Sequence, residues 1–242
     1  MSVIEKLRND EEYYNGVGRQ YLSNSDISSL LKNPRMFGLK GGSNKNFLFG
    51  SYFHQLLLEP EKAKDVPYVD VKSRNSKAYK DYLQEMEIEI ALLEDEKVQA
   101  EDLVDTIKGN IDFFDMIYQE GNEFEVPAIG EICGAMWKGK ADIVGKDYLY
   151  DLKTTSDIDR FIWSVRDYNY DSQAYIYQEL FRKPLVFLVI DKQTKMMGMY
   201  TMSEKSLERG REKVERAVEV YNNFFSESAT QSIDQFYYQE EV

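Results

Sequence analysis

The stretch that decides the fold is Lys140-Ala-Asp-Ile-Val-Gly-Lys-Asp-Tyr-Leu-Tyr-Asp-Leu-Lys-Thr-Thr155. Two apolar-alternating runs flank Gly145, Lys146 and Asp147, which is the turn chemistry of a β-hairpin. Side chains alternate faces along a strand, so Asp151 and Lys153 share a face. With Lys146 and Asp147 as the two-residue loop, Asp142 falls directly opposite Asp151. Two carboxylates and a lysine then converge on one patch. Carboxylates that close repel and raise each other's pKa unless a cation lies between them. A divalent metal is one such cation, and the lysine would orient or deprotonate a water bound to it. The competing reading is a solvated hairpin edge with ordinary charges, and the surrounding chain decides between them.

Outward from the hairpin, period-two patterning continues. Residues 124–131, 134–144 and 148–154 read as three sequential antiparallel strands. A helix is expected from Ser156 or Asp157 to about residue 166, and another over 172–181. Residues 184–191 form a nearly continuous apolar run, the mark of a strand buried on both faces. Residues 196–202 read as its hairpin partner, and 203–225 as a long amphipathic helix. On the N-terminal side, residues 1–22 are polar and tyrosine-rich and read as loosely ordered. A short helix is expected over 27–32, capped by Ser25 or Asp26, and an apolar helix over 47–58 carries the only histidine, His54. A short strand is expected within 66–71, a helix starting after Ser76, an extended piece at 88–90, and one long helix over 94–119. The chain thus divides into a helical part (23–122), a sheet-bearing part (123–225) and an acidic tail (226–242), all within a single domain.

Composition narrows the function classes. The chain has 242 residues, 43% of them hydrophobic, enough for one globular core. No apolar run approaches the ~20 residues that span a bilayer, and the charged N-terminus has no secretory pattern, so a cytoplasmic location is expected. A single cysteine, Cys133, rules out a disulfide framework and a cysteine-ligated cluster within one chain. The net charge of −13 opposes simple nucleic-acid binding, although a metal site is itself acidic and a basic strip can lie beside it.

Four elements occur in order: Gly50-x-x-x-His54 on a helix, Asp142, Asp151-x-Lys153, and Gln173-x-x-x-Tyr177 on a helix, where i and i+4 share a face. In this order they resemble the PD-(D/E)xK nuclease superfamily, in particular its RecB-like branch and the phage-type exonuclease VIII (RecE) nuclease domain. Gly50-Ser-Tyr-Phe-His-Gln-Leu-Leu-Leu-Glu-Pro60, Asp151-Leu-Lys-Thr-Thr-Ser-Asp-Ile-Asp-Arg-Phe161, Tyr170-Asp-Ser-Gln-Ala-Tyr-Ile-Tyr177 and Pro184-Leu-Val-Phe-Leu-Val-Ile190 carry the likeness, which spans roughly residues 23–225.

The resemblance implies an α/β, restriction-endonuclease-like fold: a mixed central sheet flanked by helices with an N-terminal helical elaboration. It implies Asp142 and Asp151 as metal carboxylates, with Lys153 as the catalytic lysine and His54 as an additional metal group. A glutamate is expected on the preceding strand, Glu125 inside it or Glu131 near its turn. Gln173 and Tyr177 would position DNA or the active-site elements. The implied cofactor is Mg²⁺ or Mn²⁺. The implied activity is 5′-to-3′ exonucleolytic digestion of double-stranded DNA ends, leaving 3′ overhangs for recombination or repair. Ser25, Arg35, Lys45, Ser73, Arg74 and Lys77, in two basic regions flanking the His54 helix, are candidates for holding DNA or a 5′-phosphate. A ring-like homo-oligomer and a single-strand annealing recombinase are the implied partners, with no membrane. Other readings are a single-strand or endonucleolytic relative and a catalytically silent DNA-end-binding module. A glycosidase-like carboxylate pair leaves Lys153 and Gln173 unexplained.

Overall fold

Gly145 N–H donates to Tyr148 O at 2.9 Å, and Val144 pairs with Leu149, so the hairpin turns on Lys146 and Asp147 as its sequence predicts. The computed structural model describes residues 2–39, 41, 42 and 44–237. Ahead of the sheet come α1 (Val3–Leu7), α2 (Asp10–Tyr14), α3 (Asn24–Lys32), α4 (Lys45–Leu58) and α5 (Pro60–Ala63). The strand β1 (Tyr68–Val69) pairs in parallel with β2 (Leu92–Leu93), and α6 (Lys77–Glu85) lies between them. Two helices follow, α7 (Glu94–Lys108) and α8 (Ile111–Tyr118).

The main sheet has the order β3 (Glu123–Ile132), β4 (Ala135–Val144), β5 (Leu149–Thr155), β6 (Leu185–Asp191), β7 (Met197–Thr201). β5 and β6 are parallel, joined through α9 (Phe161–Asp167) and α10 (Tyr170–Phe181), and the other neighbours are antiparallel. The sheet is therefore mixed, with α11 (Glu204–Phe224) closing the helical cover.

β6 shows why both faces must be covered. All seven of its residues are buried. Leu185, Phe187 and Val189 join a core with Trp137 of β4, Ala174 and Ile176 of α10, and Val214 of α11. Val186, Leu188 and Ile190 join a second core with Phe49 and Phe53 of α4 and Leu103 and Ile107 of α7. The continuous apolar run thus serves two layers at once. Each fully buried Leu, Ile or Phe adds roughly 1.5–3 kcal/mol.

α10 is locked against α11 by a buried charge. Asp171 is fully buried and accepts from Arg209 Nε at 2.5 Å and Lys213 Nζ at 2.8 Å. Between those two residues sits Gly210, where a Cβ would meet Asp171 O at 2.3 Å. Only glycine allows that approach. Ser172 Oγ donates to Asn24 Oδ1 at 2.6 Å and ties α3 to the same corner.

Several local expectations change. Within residues 1–22, expected to be loose, α1 and α2 bury Leu7 and Tyr13, and Leu22 bridges to Trp137. The helix expected over 94–119 breaks at Gly109 and Asn110, whose Oδ1 accepts Phe113 N–H at 3.1 Å and caps a new helix. The apolar period runs through this break because both helices face the same core. The extended piece near residue 88 lies instead at Leu92–Leu93. α3 begins one residue after Ser23, whose N–H donates to Asp26 at 2.7 Å. α9 begins at Phe161, because Asp157 Oδ1 takes the N–H groups of Asp159 and Arg160 into a turn first. In the expected tail, Ile233–Gln235 forms a 3-10 turn, and Arg35 donates to Asp234 O at 3.1 Å. Residues 238–242 of that tail lie outside the described residues.

Candidate active site

The site begins where the sheet stops being regular. β4 and β5 pair only at Val144–Leu149 and Ile143–Tyr150. The next pair would be Asp142 and Asp151. Instead, the Asp142 side chain takes the place of the ladder: its Oδ2 accepts Leu152 N–H at 2.7 Å. Ala141 packs into one core and Ile143 into the other, so strict alternation also fails at Asp142. Across from it, Glu125 has φ of +50°, a left-handed conformation rare for a non-glycine residue. Strain of this kind costs roughly 1–3 kcal/mol and collects at functional positions. Here it accompanies the convergence of two carboxylates.

Glu125, Asp142 and His54 offer ligand atoms all within 4.8 Å of one another. His54 reaches the split from α4. Its Nε2 donates to Leu152 O at 2.8 Å, which leaves Nδ1 facing Asp142 Oδ2 at 3.3 Å. Such a second-side hydrogen bond fixes the ring for ligation. Burial works against the imidazolium, but the Asp142 carboxylate overcomes it, and the His54 pKa is pushed up to about 9. Burial and the Asp142 charge push Glu125 up to about 8. Asp142 itself is lowered: burial opposes ionisation, while His54, Lys153 and the Leu152 N–H favour it. The cluster therefore carries more carboxylate than cation, and protons make up the difference. This donor set, two carboxylates and one imidazole nitrogen, fits a divalent ion.

Asp151 stands beside the cluster, not in it. It is 2% exposed. Its Oδ1 accepts Gln173 Nε2 at 2.5 Å, and its Oδ2 is ion-paired with Lys153 Nζ but accepts no hydrogen bond of good geometry. That open oxygen is the one left for a cation. Burial pushes Asp151 up to about 6, with the Lys153 charge opposing and the Asp142 charge assisting. Burial disfavours the Lys153 ammonium, yet Asp151 and Asp142 hold its pKa above the usual lysine range. Lys153 is thus charged at neutral pH, a donor and not a proton acceptor. The Tyr170 ring lies 5.1 Å from its Nζ.

α10 supplies the supports. Tyr170, Gln173 and Tyr177, spaced i, i+3 and i+7, lie on one helix face. Tyr177 Oη donates to Lys140 O at 2.9 Å. Its ring crosses Gly139, where a Cβ would meet Tyr177 at 2.9 Å. Gln173 holds β5 and Tyr177 holds β4, so one helix fixes both sides of the split.

The remaining expected residues lie apart. Glu131 is exposed near the β3–β4 turn, opposite Met136. Arg74 is engaged bidentately by Glu96 at 2.8 and 2.5 Å and also donates to Ala91 O. Ser73 Oγ accepts Asn75 N–H at 3.2 Å, and Ser25 Oγ pairs with Ser23 Oγ at 2.8 Å. Arg35 reaches toward Asp234. Lys45 and Lys77 are exposed, each at the start of its helix.

The sequence reading gave no role to the N-terminal contributors. Lys140 Nζ is held by Asp10 Oδ1 at 2.5 Å, and Lys138 Nζ donates to Tyr13 O at 2.5 Å. Both ammonium groups lie over the Tyr13 ring, at 4.8 and 4.3 Å from its centroid. Lys140 begins the β-hairpin stretch, but its partner is 130 residues away, and no local pattern announces it. Tyr170 had a signal in its i, i+3 spacing to Gln173.

A family model described as "PDDEXK-like domain of unknown function (DUF3799)" matches residues 36–232. Among solved structures, the crystal structure named "Putative exonuclease" from Eubacterium rectale shares the fold, with a TM-score of 0.63 at 20% identity, covering 97% of this chain and 95% of that one. A phage related exonuclease from Haemophilus somnus 129PT overlaps at a TM-score of 0.34 and 13% identity, covering 64% and 89% of the two chains. No curated protein matches the chain. Among the described residues, no helix is long and apolar enough to cross a membrane.

Proposed function

The chain belongs to the PDDEXK-like domain family DUF3799, and on that premise we propose that it is a metal-dependent nuclease acting on double-stranded DNA ends. The reading includes 5′-to-3′ polarity and a 3′ single-stranded product. The observation that carries it is the convergence of His54, Glu125 and Asp142 within 4.8 Å, beside the Asp151–Lys153 pair.

His54, Glu125 and Asp142 would hold a Mg²⁺ or Mn²⁺ ion, with Asp151 Oδ2 adjoining. Such an ion supplies charge compensation at the phosphate and lowers the pKa of a bound water. The chain's own residues do the rest. Lys153, fixed as an ammonium, donates to the attacking water or to a non-bridging phosphate oxygen, where negative charge grows. Gln173 holds Asp151 in its rotamer, and Tyr177 holds the β4 backbone two residues before Asp142. Burial of the Asp151–Lys153 pair strengthens each of these charge interactions relative to water.

The basic residues Arg74, Lys77, Arg35 and Lys45, with the hydroxyls of Ser73 and Ser25, are the proposed contacts to DNA or its 5′-phosphate; Arg74 would have to exchange Glu96 for phosphate to serve. A ring-like homo-oligomer reconciles the net charge of −13 with duplex binding, since an acidic exterior repels DNA while basic residues line the passage. An annealing recombinase would take up the 3′ strand.

The test is digestion of end-labelled linear duplex and of closed circular DNA, each with Mg²⁺ and with chelator. The expected result is metal-dependent release of the 5′ label from linear DNA only. Cleavage of closed circles overturns the exonucleolytic assignment, and the absence of any metal-dependent digestion overturns hydrolysis itself.

A further inference from the structure

Two exposed aromatic rings meet beside α4, the helix that carries His54. Phe47 is 65% exposed and Tyr14 55%. Their rings meet edge to face, centroids 6.5 Å apart at 85°. Tyr13 packs on the inner side of Tyr14, at 5.0 Å. The pair is thus braced from behind and open to solvent in front.

Its position relative to the cluster follows from helix geometry. Phe47 precedes His54 by seven residues on α4, so the two share a face about 10 Å apart along the axis. Gly50 lies between them, and a Cβ there would meet nothing within 4 Å. Between Phe47 and His54 the helix therefore presents bare backbone with open space above it at Gly50. Tyr14 borders it from the N-terminal side. Partial burial and the charges of Asp10, Glu125 and Asp142 push its phenol up to about 12, so the hydroxyl stays protonated. Lys45, exposed two residues before Phe47, is the nearest cation on that helix.

We infer that Tyr14 and Phe47 form a stacking site for an unpaired nucleobase of the strand whose phosphate occupies the cluster. The inference rests on the nuclease reading and adds a residue-level contact for the substrate. A base suits the aromatic pair because its π-face is uncharged, whereas a phosphate there would lack the cation that offsets the carboxylates in the cluster. Stacking on aromatic rings tolerates any base and needs only a cationic residue for the backbone. About 10 Å corresponds to roughly three base steps of 3.4 Å, so the stacked base belongs to a nucleotide close to the scissile bond. Residues 2–22 would then be part of the substrate site, although they precede the family match at residue 36.

The experiment is fluorescence anisotropy with tailed duplexes whose single-stranded tail carries either normal or abasic nucleotides, in the Lys153→Ala background to prevent digestion. The expected preference for the base-bearing tail is about tenfold. Tyr14→Ala combined with Phe47→Ala abolishes it, Phe47→Leu weakens it by removing the π-face while keeping apolar bulk, and Tyr14→Phe retains it. Equal binding of both tails, or an undiminished preference in the double alanine variant, overturns the stacking site. Digestion by the unsubstituted protein is measured alongside. Digestion without base preference defeats the stacking site alone, whereas no digestion defeats the nuclease reading.

Discussion

Gln173 Nε2 donates to Asp151 Oδ1 at 2.5 Å, joining α10 to β5 across 22 residues of chain in a buried setting. The contact leaves only one Asp151 oxygen uncommitted to a hydrogen bond, the one beside Lys153. Partners one step behind a metal site typically account for 10–100-fold in metal affinity or activity. Gln173→Ala is expected to lower kcat by about that factor, with KM for DNA little changed. Gln173→Glu is expected to do worse, since a second carboxylate drives Asp151 further toward its protonated form. Steady-state digestion of both variants checks this, and a loss confined to KM assigns Gln173 to DNA binding instead.

The protonation of the cluster sets a pH dependence. His54 rises from 6.5 to about 9 on folding, so its contribution is fully present below pH 6.5 and is lost as pH climbs through 9. Glu125 rises from 4.5 to about 8, so the folded state again binds its proton more tightly, and stability falls across that interval. Both act in one direction. Metal-free protein is expected to melt at progressively lower temperature from pH 5 to pH 9. Mn²⁺ replaces the protons, so its stabilising shift is expected to be largest at pH 8–9. Thermal melts with chelator and with Mn²⁺ measure this; a metal shift that is largest at pH 5 contradicts it.

The Asp171 corner tests the frame under the site. Gly210→Ala places a Cβ 2.3 Å from Asp171 O and is expected to cost about 1–3 kcal/mol through overpacking. Asp171→Ala leaves Arg209 and Lys213 facing an empty buried position and is expected to cost about 3–5 kcal/mol. Urea denaturation gives both values. Since α10 carries Gln173 and Tyr177, activity of the surviving folded fraction should fall too.

How much of this was legible beforehand depends on the range of each interaction. The hairpin register follows from Gly145 and two flanking strands, all local, and the structure reproduces it. The i, i+4 spacing put Gln173 and Tyr177 on one face, and both point into the split. Glu125, and not Glu131, lies within reach of His54 and Asp142, and its φ of +50° had no signal in a strand-like sequence. Asp151 reads as a metal carboxylate from its motif, but its oxygens go first to Gln173 and Lys153, contacts that depend on β5 and α10 packing. Arg74 looked available on a basic turn, because its partner Glu96 lies 22 residues away, on α7. Ion pairs such as Asp10–Lys140 obey no periodicity, so the N-terminal side of the site stayed hidden.

Lys153→Ala tests the central claim most directly. Lys153 is ion-paired with Asp151 and lies over the Tyr170 ring, and the role proposed for it is to place positive charge on the reacting phosphate. The measurement is release of acid-soluble nucleotide from linear duplex DNA in Mg²⁺, for the unsubstituted protein and the variant, with thermal melts to show that both are folded. The expected result is digestion that chelator abolishes and that falls at least about 10²-fold in the variant. Robust hydrolysis by folded Lys153→Ala would contradict the assignment of this hairpin as the centre of a nuclease.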